Sequence, residues 1–187
     1  MTNPNTFDDL PLKALASLQK LSDSVVGIQP IDTKSCRFFT GQLSEQCEVF
    51  TLGSEIGTWA RMDGIYLYAI FLVTPNYEID DLKEAFLRAK NAKKNDRAYA
   101  RLNRNNTSKC FYVGSSRDLL TRLKQHLGYG PKGTFALQLA HWANPFELEL
   151  ELQCAKYHPG LATGIYQILE DTLWEDMRPM FGRKGMK

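Results

Sequence analysis

In the segment SRDLLTRLKQHLG, Arg122 and His126 stand four residues apart and so share one face of a helix. Leu119, Leu123 and Leu127 form the adjoining apolar stripe, which brings the polar pair out beside a core, at an edge suited to a cleft. A guanidinium placed there can grip two phosphate oxygens with its planar fork and keeps its charge. His126 either orients a water or a leaving group, or caps the C-terminal end of its helix. A second feature points to the same kind of ligand. Residues 83–109 hold nine Lys or Arg against two Asp or Glu, an excess that suits a polyanion, with a solvated helix face as the plainer alternative.

Such side chains need elements to position them. The run GIYLYAIFLV is rich in β-branched and aromatic residues with little alternation, which predicts a strand buried on both faces. YEIDDLKEAFLRAKNAKKNDRAYARL has helical composition, with Ile79, Leu82, Phe86 and Ala89 on one stripe and Asp80 or Asp81 as a cap. KCFYVG is a second short strand ending at Gly114. The helix of Arg122 is entered at Ser115 or Ser116 and stopped by Gly128. FALQLAHWA reads as a short helix, and FELELELQCAKY alternates with period two, a half-exposed strand. The last helix starts near Thr163 and ends before Pro179. Upstream, Leu12, Leu15, Leu18 and Leu21 mark an amphipathic helix, and CRFFTG and CEVFTLG are β-prone.

Bulk properties exclude several classes. The chain has 187 residues, 43% hydrophobic and 24% charged, which is ordinary for one globular domain with an extension. No apolar run approaches the ~20 residues of a membrane span. The N-terminus lacks the basic start and apolar core of a secretion signal. Cys36, Cys47, Cys110 and Cys154 are widely spaced and form no CxxC, so reduced thiols in a cytoplasmic protein are expected rather than a zinc site. Residues 1–60 carry four basic and seven acidic residues, against nineteen and fourteen in residues 61–187. The expected division is a 1–60 extension of unknown role and a 61–187 main domain with a basic insertion at about 75–109.

The tripeptide GIY occurs twice, at 64–66 and 164–166. The second copy falls in the first turn of a helix with Ile165, Ile168 and Leu169 at helical spacing, and is structural. The first copy opens a strand, and Tyr112, Val113 and Gly114 end the next. Arg122 follows eight residues after Gly114, His126 four later, and Glu170 precedes Pro179 by nine. This ordered set resembles the GIY-YIG nuclease family over residues 61–183. The resemblance implies an α/β fold of α+β sandwich type, with a small mixed or antiparallel three-stranded sheet flanked by helices.

The resemblance also implies roles. Tyr66 would position the attacking water, and Tyr112 would be the general base or relay its proton. A tyrosine's ordinary pKa near ~10 is poor for that task, so nearby positive charge is required. Arg122 would neutralise phosphoryl charge, with His126 beside it. Glu170 would hold a single Mg²⁺ or Mn²⁺, hard ions that keep several waters and need few protein ligands. Further nucleic-acid contacts are expected from Ser115, Arg117 and Lys124, and from Lys93, Lys94, Arg97, Arg101 and Arg104 of the insertion, with Tyr99 available to stack on a base. Three features depart from the family pattern. Ser115 stands where many members have Lys, Gly182 where most have Asn, and 45 residues separate Tyr66 from Tyr112 where a short hairpin is usual.

The reading is therefore a metal-dependent DNA endonuclease. Its alternatives are a catalytically weak nucleic-acid-binding protein that keeps the fold, and a nuclease subunit recruited by residues 1–60 through a homodimer or protein contact. No helix-turn-helix or zinc finger suggests specific base readout.

Overall fold

Ile65–Leu72 (β2) is buried along its length except at Phe71, as its unbroken apolar run requires. The computed structural model, which describes residues 9–43, 53–75, 77–103 and 108–185, places it inside a four-stranded sheet. Its companions are β1 (Asp32–Phe39), β3 (Cys110–Ser116) and β4 (Glu149–Tyr157), in the order β1-β4-β2-β3, with every neighbour antiparallel.

Four strands rather than three is a correction to the sequence-based expectation. β4 alternates as expected, with Leu150, Leu152 and Cys154 turned to the core. Its free side is filled by β1, in register from Asp32 opposite Lys156 to Phe39 opposite Glu149. A row of unpaired backbone donors and acceptors on β4 would otherwise stand open, and β1 satisfies them. β1 spans the CRFF of the expected strand and yields to a 3-10 turn at Thr40–Gln42. The other β-prone piece lies in residues 47–52, outside the described residues, and Gly53 then opens α2 (Gly53–Trp59).

One face of the sheet carries the main core. Tyr66, Tyr68, Ile70 and Leu72 of β2 meet Leu82, Phe86 and Ala89 of α3 (Ile79–Asn91), and Leu119, Leu123 and Leu127 of α4 (Leu119–Leu127). Phe86, Trp142 and Phe181 pack edge-on or tilted at the centre, with Phe86 and Phe181 centroids 4.5 Å apart. The opposite face is thinner: Ala69, Cys110 and Val113 sit under Leu173, Trp174 and Met177 of α5 (Thr163–Met177). α1 (Leu10–Val25) buries no residue, and Leu12, Leu15 and Leu18 are exposed.

Local departures have local causes. α3 ends at Asn91 and not near residue 102, because its apolar stripe runs out at Ala89 and Lys93, Asn95 and Asp96 take positive φ. The chain beyond runs extended, with Ala98 N–H on Lys132 O, Ala100 N–H on Ala136 O and Asn103 N–H on Met180 O. Ala136 bridges Tyr99, so the short helix expected from Phe135 onward is reduced to 3-10 turns at Leu139–His141 and Asn144–Phe146. α4 is capped by Asp118, whose Oδ1 accepts from Thr121 N–H, and not by Ser115 or Ser116. Gly128 stops α4 in the left-handed region at φ 108°, as its sequence predicts. Among the described residues, no helix is long and apolar enough to cross a membrane.

Candidate active site

Antiparallel pairing sets Tyr68 of β2 opposite Gly114 of β3, and Ile70 opposite Tyr112. Tyr68 and Tyr112 thereby lie diagonally on one face, their rings nearly parallel with centroids 6.2 Å apart. Gly114 between them has no room for a side chain: a Cβ there would lie 2.7 Å from Tyr68 Oη and 2.9 Å from Tyr112 Cε1. α4 runs across this face and supplies Arg122 and His126, one turn apart.

Arg122 is the hub. Its Nε donates to Tyr68 Oη at 3.3 Å, Nη1 to Gln125 Oε1 at 2.8 Å, and Nη2 to both Tyr112 Oη at 2.9 Å and Phe135 O at 3.2 Å. Four of its five N–H groups are thus engaged, leaving one on Nη1 for a ligand. Burial works against the guanidinium charge, but the two tyrosine hydroxyls outweigh it and hold the pKa above its ordinary value.

His126 is almost wholly buried and stands behind the tyrosines. Burial, with Arg122 adding to it, pushes its pKa well below the usual histidine range, so the ring is neutral. Leu137 N–H donates to Nδ1, which puts the ring proton on Nε2, 3.0 Å from Tyr68 Oη. Tyr68 Oη therefore accepts from two donors, His126 and Arg122. Burial nonetheless drives the Tyr68 pKa up, followed by the Tyr112 hydroxyl and Glu170, so Tyr68 is a fixed neutral phenol.

Glu170 reaches the site from the other side of the edge strand. Ser115 Oγ donates to its Oε2 at 2.5 Å, and among the described residues no donor meets the other oxygen. Burial raises its pKa, against the Ser115 hydrogen bond and Arg122. No group of three or more His, Cys, Asp or Glu could hold a metal among the described residues. A desolvated carboxylate with one oxygen spare, close enough to Arg122 and Tyr68 to feel both, still fits a hard divalent ion that needs one protein ligand.

Gly182 adopts φ 103°, and a Cβ there would lie 2.8 Å from Tyr112 Cε2. The residue lies against the tyrosine ring where an asparagine side chain would not fit. Its loop is tied instead by Asn103, whose Nδ2 donates to Pro179 O and Gly182 O.

The structure brings Tyr112, Arg122, His126 and Glu170 together but does not bring Tyr66 with them. Tyr66 is fully buried, and its hydroxyl donates to Met62 O at 2.5 Å and lies 3.0 Å from Trp59 O. Tyr68, two residues on, occupies the place expected for it. Both tyrosines share a face of β2, and only the register against Gly114 separates them. Of the expected nucleic-acid contacts, Ser115 holds Glu170, and Arg117 donates to Pro159 O while lying over the Tyr166 ring. Lys94 donates to His141 O, and Arg97 to Gly130 O and Gln138 Oε1, so both brace the insertion. Lys93 is exposed in the left-handed turn after α3, and Lys124 is half-buried in the last turn of α4. Arg104 lies outside the described residues. Tyr99 is buried against Phe86 and offers no face to a base.

Arg101 lies where no pattern in its own segment could place it. It lines a cavity of about 310 Å³ with Lys90, Tyr112, Arg122, Phe135 and Arg183. A larger groove of about 600 Å³ lies on the opposite sheet face along Leu67, Ala69, Leu173 and Met177, but Tyr112, Arg122 and Glu170 are not among its walls. The smaller cavity is the one beside the chemistry.

Residues 99–160 match the family model described as the GIY-YIG catalytic domain. The match contains Tyr112, Arg122 and His126, begins beyond Tyr68 and ends before Glu170. No curated protein and no solved structure gives a match. Catalytic domains of the GIY-YIG nuclease superfamily are endonucleases and generally use divalent metal ions, and it is to these that residues 99–160, a third of the chain, are similar.

Proposed function

We propose that this protein is a divalent-metal-dependent DNA endonuclease, hydrolysing phosphodiester bonds at the edge of β3. The observation that carries the reading is the donation by one half-buried guanidinium to the hydroxyls of both Tyr68 and Tyr112, with Glu170 alongside.

Hydrolysis requires a proton taken from water and charge neutralised on the phosphoryl oxygens. Tyr112 is half-buried, lines the cavity and is the group able to take that proton at Oη. Only the phenolate form of Tyr112, its own proton first given up to solvent, could accept that proton, and Arg122, which already donates to the same oxygen, would hold that anionic oxygen in place. The remaining Nη1–H of Arg122 would be available to a phosphate oxygen in the cavity that Arg122 lines. Tyr68 and His126 keep Arg122 in this pose and do not face the substrate. Glu170 would hold Mg²⁺ or Mn²⁺, which when bound neutralises phosphoryl charge and acidifies water.

The test compares wild type with Glu170→Ala on labelled single- and double-stranded DNA, with Mg²⁺ or Mn²⁺ and then with EDTA. Metal-dependent cleavage by wild type alone, with DNA binding kept by the variant, is the expected result. Binding without cleavage by either protein would replace this reading with that of a catalytically weak nucleic-acid-binding protein.

A second reading adds a protein partner at α1, favoured by the exposure of Leu12, Leu15 and Leu18 on one helix. Removing residues 1–60 would also remove β1, so the sharper test is Leu12→Ser, Leu15→Ser, Leu18→Ser in the full chain. A wild type heavier than monomer in sedimentation, returned to monomer by these changes, would support it, and a monomeric wild type would leave α1 without a homodimer role.

A further inference from the structure

The cavity beside Tyr112 is walled by Lys90, Arg101, Arg122 and Arg183, and no carboxylate lines it. These cations come from α3, the extended insertion, α4 and the C-terminal loop, so the cluster is made by the fold and not by one charged run. None of the four has an ion pair among the described residues. Lys90 donates one N–H to Ala100 O and has two to spare. Burial first, and then the nearby Arg183 and Arg101, pull its pKa down, so like charges crowd a cavity that no carboxylate lines. An anion in the cavity would relieve that repulsion.

At the same cavity stands Phe135, with 69% of its surface exposed. A single exposed phenylalanine needs no explanation, but this one borders a four-cation pocket and has an anchored backbone. Its carbonyl accepts from Arg122, and its neighbour Ala136 is bridged to Tyr99. The backbone that carries the ring is therefore held beside the Arg122 guanidinium. A phosphate cradle next to an exposed aromatic face on an anchored backbone matches one nucleotide unit, with phosphate in the cradle and base on the ring. Bases inside a duplex are covered by their neighbours on both faces, whereas an unpaired base along a strand can turn its face to the ring.

Resting on the nuclease reading for the position of the scissile phosphate at Arg122, we propose that the adjoining nucleotide of an unpaired strand binds here, its phosphate between Lys90, Arg101 and Arg183 and its base on Phe135. The substrate class is then a single strand, a flap or a frayed end, and the insertion serves as the wall of a strand-reading pocket.

The full-length chain in EDTA is titrated against a fluorescently labelled single-stranded oligonucleotide and the same sequence as a blunt duplex, at several salt concentrations. Wild type is expected to bind the single strand more tightly. Phe135→Ala is expected to weaken single-strand binding by on the order of tenfold and duplex binding by less than about twofold, while Phe135→Tyr keeps both. The side chain is exposed and the carbonyl to Arg122 is retained, so an unchanged thermal melt shows that the fold is intact. Arg101→Gln with Arg183→Gln is expected to lower the slope of log affinity against log salt by about 1 for the single strand. Equal affinity for the two probes, or no effect of Phe135→Ala, overturns the proposal. Cleavage with Mg²⁺ is scored separately. Duplex cleavage indifferent to Phe135 sinks this inference and leaves the nuclease reading standing, whereas the expected binding without cleavage sinks the nuclease reading and leaves only the single-strand pocket at Phe135.

Discussion

Arg122 Nη2 donates to Tyr112 Oη at 2.9 Å while Nε of the same guanidinium reaches Tyr68 Oη at 3.3 Å. One side chain from α4 thus ties the hydroxyls of two strands and leaves one N–H for a ligand. In the free protein it orients the tyrosines, and under the proposed function its contact with phosphate would be added to that.

Arg122→Lys keeps the charge and loses the fork. A single ammonium cannot reach Tyr68, Tyr112, Gln125 and the Phe135 carbonyl together. Single-turnover cleavage is expected to fall by roughly two orders of magnitude, the scale seen when one preorganised donor is lost. The thermal melt should fall by a smaller proportion, and a variant with wild-type cleavage would show that the fork is dispensable.

Tyr68→Phe and Tyr66→Phe should separate cleanly. The first leaves Arg122 Nε and His126 Nε2 without their acceptor in a buried place, at about 1–3 kcal/mol in stability, and lowers cleavage. The second removes a hydroxyl that meets only the Met62 and Trp59 carbonyls and costs about 1 kcal/mol, with cleavage by the folded protein unchanged. Urea unfolding alongside cleavage rates decides it; loss of cleavage in stably folded Tyr66→Phe would assign the catalytic place to Tyr66 after all.

Gly182→Ala combines a strained backbone at φ 103° with a Cβ 2.8 Å from the Tyr112 ring. A loss of roughly 1–2 kcal/mol is expected, with cleavage impaired through displacement of Tyr112. Gly133, with open space around its Cβ position and an ordinary φ, is the control, and Gly133→Ala should stay within about 0.5 kcal/mol of wild type. Equal melts for the two variants would remove Gly182 from the argument.

Two groups give stability opposite dependences on pH. The folded-state pKa of His126 is depressed, so only the unfolded chain takes up the proton as pH falls below the ordinary histidine value near ~6.5. Its contribution is therefore lost on acidification below that value, with a limiting slope of about 1.4 kcal/mol per pH unit. Glu170 has a raised pKa, so its charged form is disfavoured in the folded state at neutral pH and relieved as pH falls. Glu170→Gln should accordingly melt higher than wild type at pH 7, and the difference should shrink toward pH 4. A variant less stable than wild type at neutral pH would contradict the desolvation of this carboxylate.

Metal addition supplies an independent check on the same residue. Mg²⁺ or Mn²⁺ should raise the wild-type melting temperature, EDTA should reverse the rise, and Glu170→Gln should not respond. A response retained by the variant would place the ion elsewhere.

What was legible in the sequence rests on short-range physics. The apolar run of β2, the alternation of β4, the four-residue spacing of Arg122 and His126, and the Gly128 stop all depend on the period of a strand or helix and on one backbone conformation. Each can be read within a dozen residues. Tyr112 and Glu170 are marked by their order along the chain and not by any contact. The choice between Tyr66 and Tyr68 was beyond such reading, because both point to the same face of β2 and only pairing with β3, across the insertion, sets one of them opposite Gly114. The role of β1 is a pairing question of the same kind, settled by an open edge on β4 more than a hundred residues away. The basic run shows the difference most plainly. Its net charge is a property of the sequence, but Arg97 spends its charge on internal carbonyls while Lys90 and Arg101 meet Arg183 and Phe135 at a cavity. Composition sums charges wherever they lie, and only the tertiary fold, by bringing four separate segments to one place, decided which of them line one cavity.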